Sequence, residues 1–318
     1  MDEFNQTQKV FVKSNNSIQK IHLNYTYSLI FILVSTLILY LIFDYQENAI
    51  NLIKNFLLIT IIASAFKYII NIIKKDYSLK SIYRDYNLLS ISIIISLFSQ
   101  NNPYYIIIIA IFLTIVIKNI NNKRNLSSTL YGILILIIYN SFFTNHLYIN
   151  VNNIKLIDYL INPSYISPIL SIISFIYIFY KKSIKYNIVI AYFLTYFSII
   201  FLYTVLNSIN PYNILIALMI NSPIFLSIYT LSDYKITPTI SESGIIYGII
   251  SGLISAILYF IIPDLSIIIS MIVSPLILTN YLDKISPKLK YNPKTYYLYI
   301  TISFIMVIIA IIILSLVF

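Results

Sequence analysis

The sequence has no cysteine, no tryptophan, four glycines and two histidines among its 318 residues. Without cysteine there are no disulfides, no thiolate-held metals or iron–sulfur clusters and no cysteine nucleophile. His22 and His146 are too few and too far apart in sequence to suggest a metal site. Charge is scarce as well: 10% of the residues are Asp, Glu, Lys or Arg, and none falls in 86–117, 186–232 or 295–318. Runs of that length exceed the ~20 apolar residues that cross a bilayer. Catalytic signatures are also missing. No GxSxG, HExxH, Walker loop or GxGxxG occurs. Paired aspartates at helical spacing, which a magnesium–diphosphate enzyme needs, are absent from the basic loops. Asp76 and Asp85 read as solvated charges, and Asp158 shares the 144–164 loop with His146, too little for a reaction. An enzyme working with its own side chains is therefore not expected.

What the chain does have is apolar bulk, 59% hydrophobic residues with a mean hydropathy of +0.86. It reads as an all-α polytopic membrane protein with one membrane domain and no room for a separate soluble one. The net charge of +10 invites a nucleic-acid reading, but the lysines sit in short loops between apolar spans. There they set orientation and meet anionic headgroups, so the bilayer is the expected partner and nucleic acid is not. With 31 tyrosines and no tryptophan, tyrosine supplies the interfacial belts. The first 24 residues are polar and carry no small-residue cleavage pattern, so the first span reads as an anchor that stays.

Eleven apolar segments are legible: 27–43, 52–73, 88–98, 104–117, 127–143, 165–180, 187–206, 212–230, 244–262, 265–282 and 297–318. Basic clusters precede the first segment and recur at 74–84, 118–124, 181–185 and 284–294. Crossing the membrane at every segment puts all of them on one side. The positive-inside rule then predicts a cell-membrane protein with its N-terminus cytoplasmic and its C-terminus outside. This divides the chain into a cytoplasmic N-terminal segment 1–26, a membrane domain 27–283, and a basic loop with an added C-terminal span, 284–318.

Two segments are short. Residues 88–98 predict a helix of ~16 Å and 104–117 one of ~21 Å, against ~30 Å of hydrocarbon. Between them lies the helix-breaking Ser99-Gln100-Asn101-Asn102-Pro103. Such interruptions need protein or a water-filled cavity around them, and two readings stand: a shielded thin spot, or a place for substrate or cofactor. Residues 88–117 either cross twice or re-enter as one loop. Pro223 and Pro275 fall near the middles of two further spans and predict kinks. Lys67, the one charge well inside a span, is expected to snorkel to the headgroups, and Lys54 to reach water at the outer end of its span.

The densest polar chemistry stands at residues 231–252. Asp233, Lys235, Thr237, Pro238, Thr239 and Glu242 form a hairpin, followed by Gly244, Gly248 and Gly252 at a spacing of four. On a helix that spacing makes a face without side chains, against which a neighbouring helix packs closely. One reading is a cytoplasmic turn followed by a packing helix.

The other reading comes from a resemblance. The order Asp233, Thr237-Pro238-Thr239, Gly244, Tyr247-Gly248 and Gly252, with Pro263 and Pro275 following, resembles the NqrB/RnfD family. That family comprises membrane subunits of the Rnf electron-transport complex and of the sodium-pumping NADH:quinone reductase. The resemblance implies ten helices in two inverted five-helix repeats, matching the first ten segments. It also matches short third and fourth spans, followed by Lys118 and the asparagines 119, 121, 122 and 125, and it places Gly132 in the fifth helix. Residues 231–275 carry the motif-level likeness.

Asp233, Thr237 and Thr239 would then hold a flavin, FMN or riboflavin, or structure the cytoplasmic face, while Gly244, Gly248 and Gly252 serve helix packing. The chain departs from the family in several places. The turn lacks the threonine before and the proline after its aspartate, and Gly244 comes one residue late. The Gly-Gly motifs after the fourth span and before the sixth are missing. So is the Ser/Thr-Gly-Ala-Thr motif whose threonine carries covalent flavin, Thr144 being the only threonine of the loop 144–164. Any flavin is thus expected to be non-covalent.

Three functions follow as expectations. The first is a membrane subunit of an Rnf-type ion-translocating electron-transport complex, partnered by its other membrane subunits. The second is a small-solute or ion transporter with its path between the half-repeats. The third is a cofactor-free structural subunit.

Overall fold

The computed structural model describes residues 18–73, 86–100, 102–120, 127–144, 166–207, 222–234 and 236–285. The eleventh apolar segment, 297–318, lies outside them, as do Lys235 and the loop 145–165. Every regular element among the described residues is helical. The chain is rich in isoleucine, which favours strands in water. In hydrocarbon, however, each backbone N–H and C=O needs a partner, and a helix supplies all of them within one segment.

The helices, in order, are α1 (Ile18–Ile42), α2 (Gln46–Ile73), α3 (Tyr86–Phe98), α4 (Tyr104–Ile120) and α5 (Ser128–Tyr139), the last extended by a wide π-type turn, Asn140–Thr144. Then come α6 (Pro168–Tyr180), α7 (Tyr186–Leu206) and α8 (Pro223–Leu226), which runs into a π-type turn, Ser227–Leu231. They are followed by α9 (Ser241–Ile261) and α10 (Ser266–Ser274), whose π-type turn Pro275–Thr279 leads into α11 (Asn280–Ile285). Five stretches are long and apolar enough to cross a membrane: Lys20–Ile42, Gln46–Ile73, Tyr186–Leu206, Glu242–Ile261 and Ser266–Lys284. Their outward residues, such as Ile38, Leu41, Leu57, Ile61, Leu194 and Val205, are exposed hydrocarbon. That surface suits lipid, and the chain is an all-α polytopic protein.

Packing partners recur between the first five helices and the next five. Helix α4 lies on α5 as α9 lies on α10, α2 on α4 as α7 on α9, and α1 on α3 as α6 on α8. Across the two halves, α1 meets α6 and α5 meets α10. The short third and eighth helices approach through Phe98 and Phe225, whose ring centroids are 6.0 Å apart.

The polar turn after α3 buries Ser99 and Asn102. Ser99 accepts a hydrogen bond on its carbonyl from Asn55 of α2 at 2.9 Å, and Gln100 accepts one from the Tyr40 hydroxyl of α1 at 2.9 Å. Helix α2 thus supplies a partner to the interrupted backbone, and α1 one to the Gln100 side chain.

Helix α1 begins earlier than its apolar run, because its polar residues point inward. Asn24, Thr26 and Ser28 are buried, and Asn24 donates to Ser183 at 2.7 Å. The two prolines act differently from each other. Ser222 takes a left-handed backbone (φ 47°) immediately before Pro223, so α8 starts there and no regular helix passes through. At Pro275 the chain continues, with one wider turn.

Asp264, in the short link between α9 and α10, is half-buried, and that desolvation raises its carboxyl pKa. The protonated form is favoured by folding, so its stabilising contribution is present at low pH and lost as pH rises through the raised value. Asp264→Asn is expected to raise the melting temperature modestly at neutral pH. The gain should shrink on acidification, as melting curves of both proteins across pH will show.

Candidate functional site

The hairpin between α8 and α9 is shaped by its own backbone first. The Asp233 carbonyl accepts from the amides of Ile236 at 3.1 Å and Thr237 at 3.2 Å, closing a tight turn. Further partners come from four sides. From α1, the Tyr25 hydroxyl pairs with that of Ser232 at 3.1 Å. Thr279, in the wide turn of α10, donates to the Ile236 carbonyl at 2.7 Å.

Lys185, at the head of α7, donates to the Thr237 hydroxyl at 2.8 Å and to the Pro238 carbonyl at 2.7 Å. Its ammonium also sits 5.3 Å from the centre of the Tyr234 ring. Asp283 of α11 accepts from both the amide (2.9 Å) and the hydroxyl (3.1 Å) of Thr239. Hydrogen bonds to charged groups contribute ~1.5–3 kcal/mol each when shielded, less at exposed positions such as Thr239. Tyr234 is half-buried, and that desolvation pushes its phenol pKa up.

The structure therefore brings Asp233, Thr237 and Thr239 into one turn. It directs the two threonine hydroxyls onto Lys185 and Asp283, and Thr237 is buried. Asp233 is half-buried, with its carboxylate within electrostatic reach of the Tyr25 and Tyr247 phenols. The hydroxyls of Thr237 and Thr239 thus fasten the hairpin to α7 and α11. Among the described residues no group of three His, Asp or Glu side chains could hold a metal ion.

Behind the hairpin, the three glycines of α9 lie on α7. A Cβ at Gly244 would come 3.2 Å from Ile188 Cγ1, and one at Gly248 would come 2.6 Å from the Ile188 carbonyl oxygen. At Gly252 it would overlap the Thr195 hydroxyl and lie 2.6 Å from the Tyr192 carbonyl oxygen. The fourth glycine, Gly132 of α5, does the same service against Thr114 and Ala110 of α4. Lipid tails are as apolar as leucine, so close backbone approach and hydrogen bonds, more than hydrophobic burial, hold such helices together.

Sequence reasoning missed Lys185, Tyr25, Thr279 and Asp283, each distant in the chain from the hairpin. It also missed the buried serines below it, whose one visible signal is their spacing of four on α9 and on α10. No family model matches this chain, and no curated protein matches it in sequence.

Proposed function

We propose that this chain is a membrane subunit of an Rnf-type ion-translocating electron-transport complex, comparable in role to the RnfD-like members of the family it resembles. In this reading the hairpin shapes the face offered to partner subunits and holds no flavin. The observation that carries it is the fastened hairpin seated on a glycine-faced helix, at the place in the helix order where the resemblance expects the turn and glycine helix of that family. The recurrence of packing partners between α1–α5 and α6–α10 supports two half-repeats. With five spans in each, the halves run inverted across the membrane. The basic loops support a cytoplasmic N-terminus and hairpin in the cell membrane, with 284–318 as an addition to the family unit.

A second reading, a small-solute or ion pathway, is favoured by buried polar atoms without hydrogen-bond partners, Asn102 Oδ1, Tyr247 Oη and Ser274 Oγ. The two are separated by the absorption spectrum and acid-extract fluorescence of this chain purified free of other subunits, followed by flux assays on the same protein alone in liposomes. A colourless protein inactive as a lone transporter is the expected result. Flavin near one per chain would return Asp233, Thr237 and Thr239 to a cofactor role, and solute flux by the lone chain would replace the subunit reading.

A further inference from the structure

Below the hairpin, two stripes of hydroxyls face each other. On α9, Ser243, Tyr247, Ser251 and Ser255 recur four apart and share one face, as Ser266, Ser270 and Ser274 do on α10. All seven are fully buried. Ser255 and Ser270 hydrogen-bond to each other, which fixes the antiparallel register of the two helices. Ser274 then lies level with Ser251, and Tyr247 stands one turn nearer the hairpin. From α7, the Tyr192 hydroxyl donates to Ser255 at 3.1 Å.

Most of these serines are satisfied within their own helix, Ser251 on the Tyr247 carbonyl, Ser255 on Ser251 and Ser270 on Ile267. That is the usual way for serine to sit inside a helix. Two groups differ. The Tyr247 phenol oxygen and the Ser274 hydroxyl oxygen have no hydrogen-bond partner, though neither residue is exposed at all. An unpaired buried hydroxyl costs ~1–3 kcal/mol, and ordered water is its common partner. Ser274 also immediately precedes the π-type turn Pro275–Thr279, a break in the regular ladder of the kind often found at functional sites.

We propose that Tyr247 and Ser274 mark a water inlet between α9 and α10, leading from the Asp233 hairpin to the Tyr192–Ser255–Ser270 cluster. Its occupant is water. The stripes offer only neutral hydroxyls that each give or take one or two hydrogen bonds, and they contain no carboxylate that would repay the dehydration of a cation. The inlet carries an aqueous hydrogen-bonding environment, and with it access for protons, into the middle turns of α9. It requires neither a partner subunit nor a flavin, so its test is independent of the subunit reading.

The chain has no native cysteine, so a single introduced thiol reports on one position. Ser274→Cys and Ser251→Cys place it in the inlet. Ile267→Cys places it in the apolar core at 0% exposure, and Ile277→Cys on the outer surface at 64% exposure, where lipid lies. Membrane vesicles of each variant are treated with silver ion, and thiols left unreacted are counted by maleimide labelling after denaturation. A thiol in apolar surroundings stays protonated and inert, whereas one in water reacts as thiolate. Ser274→Cys and Ser251→Cys should be blocked at least ~10-fold faster than Ile267→Cys and Ile277→Cys. Adding Tyr247→Trp, which fills the entrance, should slow them again. If both inlet thiols react as slowly as Ile267→Cys in protein that elutes as a folded species, the inlet does not exist.

Discussion

Gly252→Ala is expected to lower the melting temperature of the detergent-solubilised protein, and Gly252→Leu to prevent its folding. Two effects oppose each other. Alanine is the better helix former by ~1 kcal/mol, which alone would stabilise α9. Against that, the added methyl would overlap the Thr195 hydroxyl and approach the Tyr192 carbonyl oxygen to 2.6 Å. Backbone cannot step aside as a side chain can, and overpacking a tight contact costs ~1–3 kcal/mol, so the loss wins.

The three sites should rank in order. Gly248→Ala also meets backbone, the Ile188 carbonyl oxygen at 2.6 Å, and is expected to destabilise. Gly244→Ala meets only the flexible Ile188 side chain at 3.2 Å, so propensity should offset the contact and leave stability near that of the parent. Heating followed by size-exclusion chromatography reads the ranking. Equal melting temperatures at all three positions would mean that α7 and α9 do not meet through this face.

The second large effect is expected from Lys185→Met. The stem is kept and the ammonium is lost, so the Pro238 carbonyl and the Thr237 hydroxyl lose their donor. Both residues are buried, and a buried polar group left without a partner costs ~1–3 kcal/mol. The hairpin should open more often, and Lys235 within it should be cut by trypsin several-fold faster than in the parent. Thr237→Val removes the hydroxyl and the need for it together, so its effect should be smaller. Asp283→Asn should be smaller still, since Thr239 is solvent-exposed. Unchanged cleavage of Lys185→Met would show that the lysine does not hold the turn.

Much of the layout could be read from the chain before its structure. The spans emerged because charge-free runs separate basic loops, and the glycine face of α9 because three of four glycines recur at one helical spacing. Both signals are local and periodic. What stayed hidden depends on contacts far apart in sequence. Residues 18–26 look like a polar tail, yet helix α1 starts at Ile18 because Asn24 reaches Ser183 and Tyr25 reaches Ser232. Lys185 reads as one of a cluster of orienting lysines, and only the fold places it under the hairpin. The resemblance gives Thr237 and Thr239 a flavin; the fold sets their hydroxyls against Lys185 and Asp283, 52 and 44 residues away. The serines of α9 and α10 give little signal in the sequence, since serine in a membrane helix commonly bonds its own backbone. It is the two hydroxyls that do not which draw attention to the stripe.

If the chain works as a subunit among redox partners, solubilising native membranes gently and capturing this protein should recover a stoichiometric set of other membrane subunits together with proteins carrying flavin or iron–sulfur centres. A chain that is recovered alone, from membranes in which such complexes otherwise stay intact, would contradict that reading.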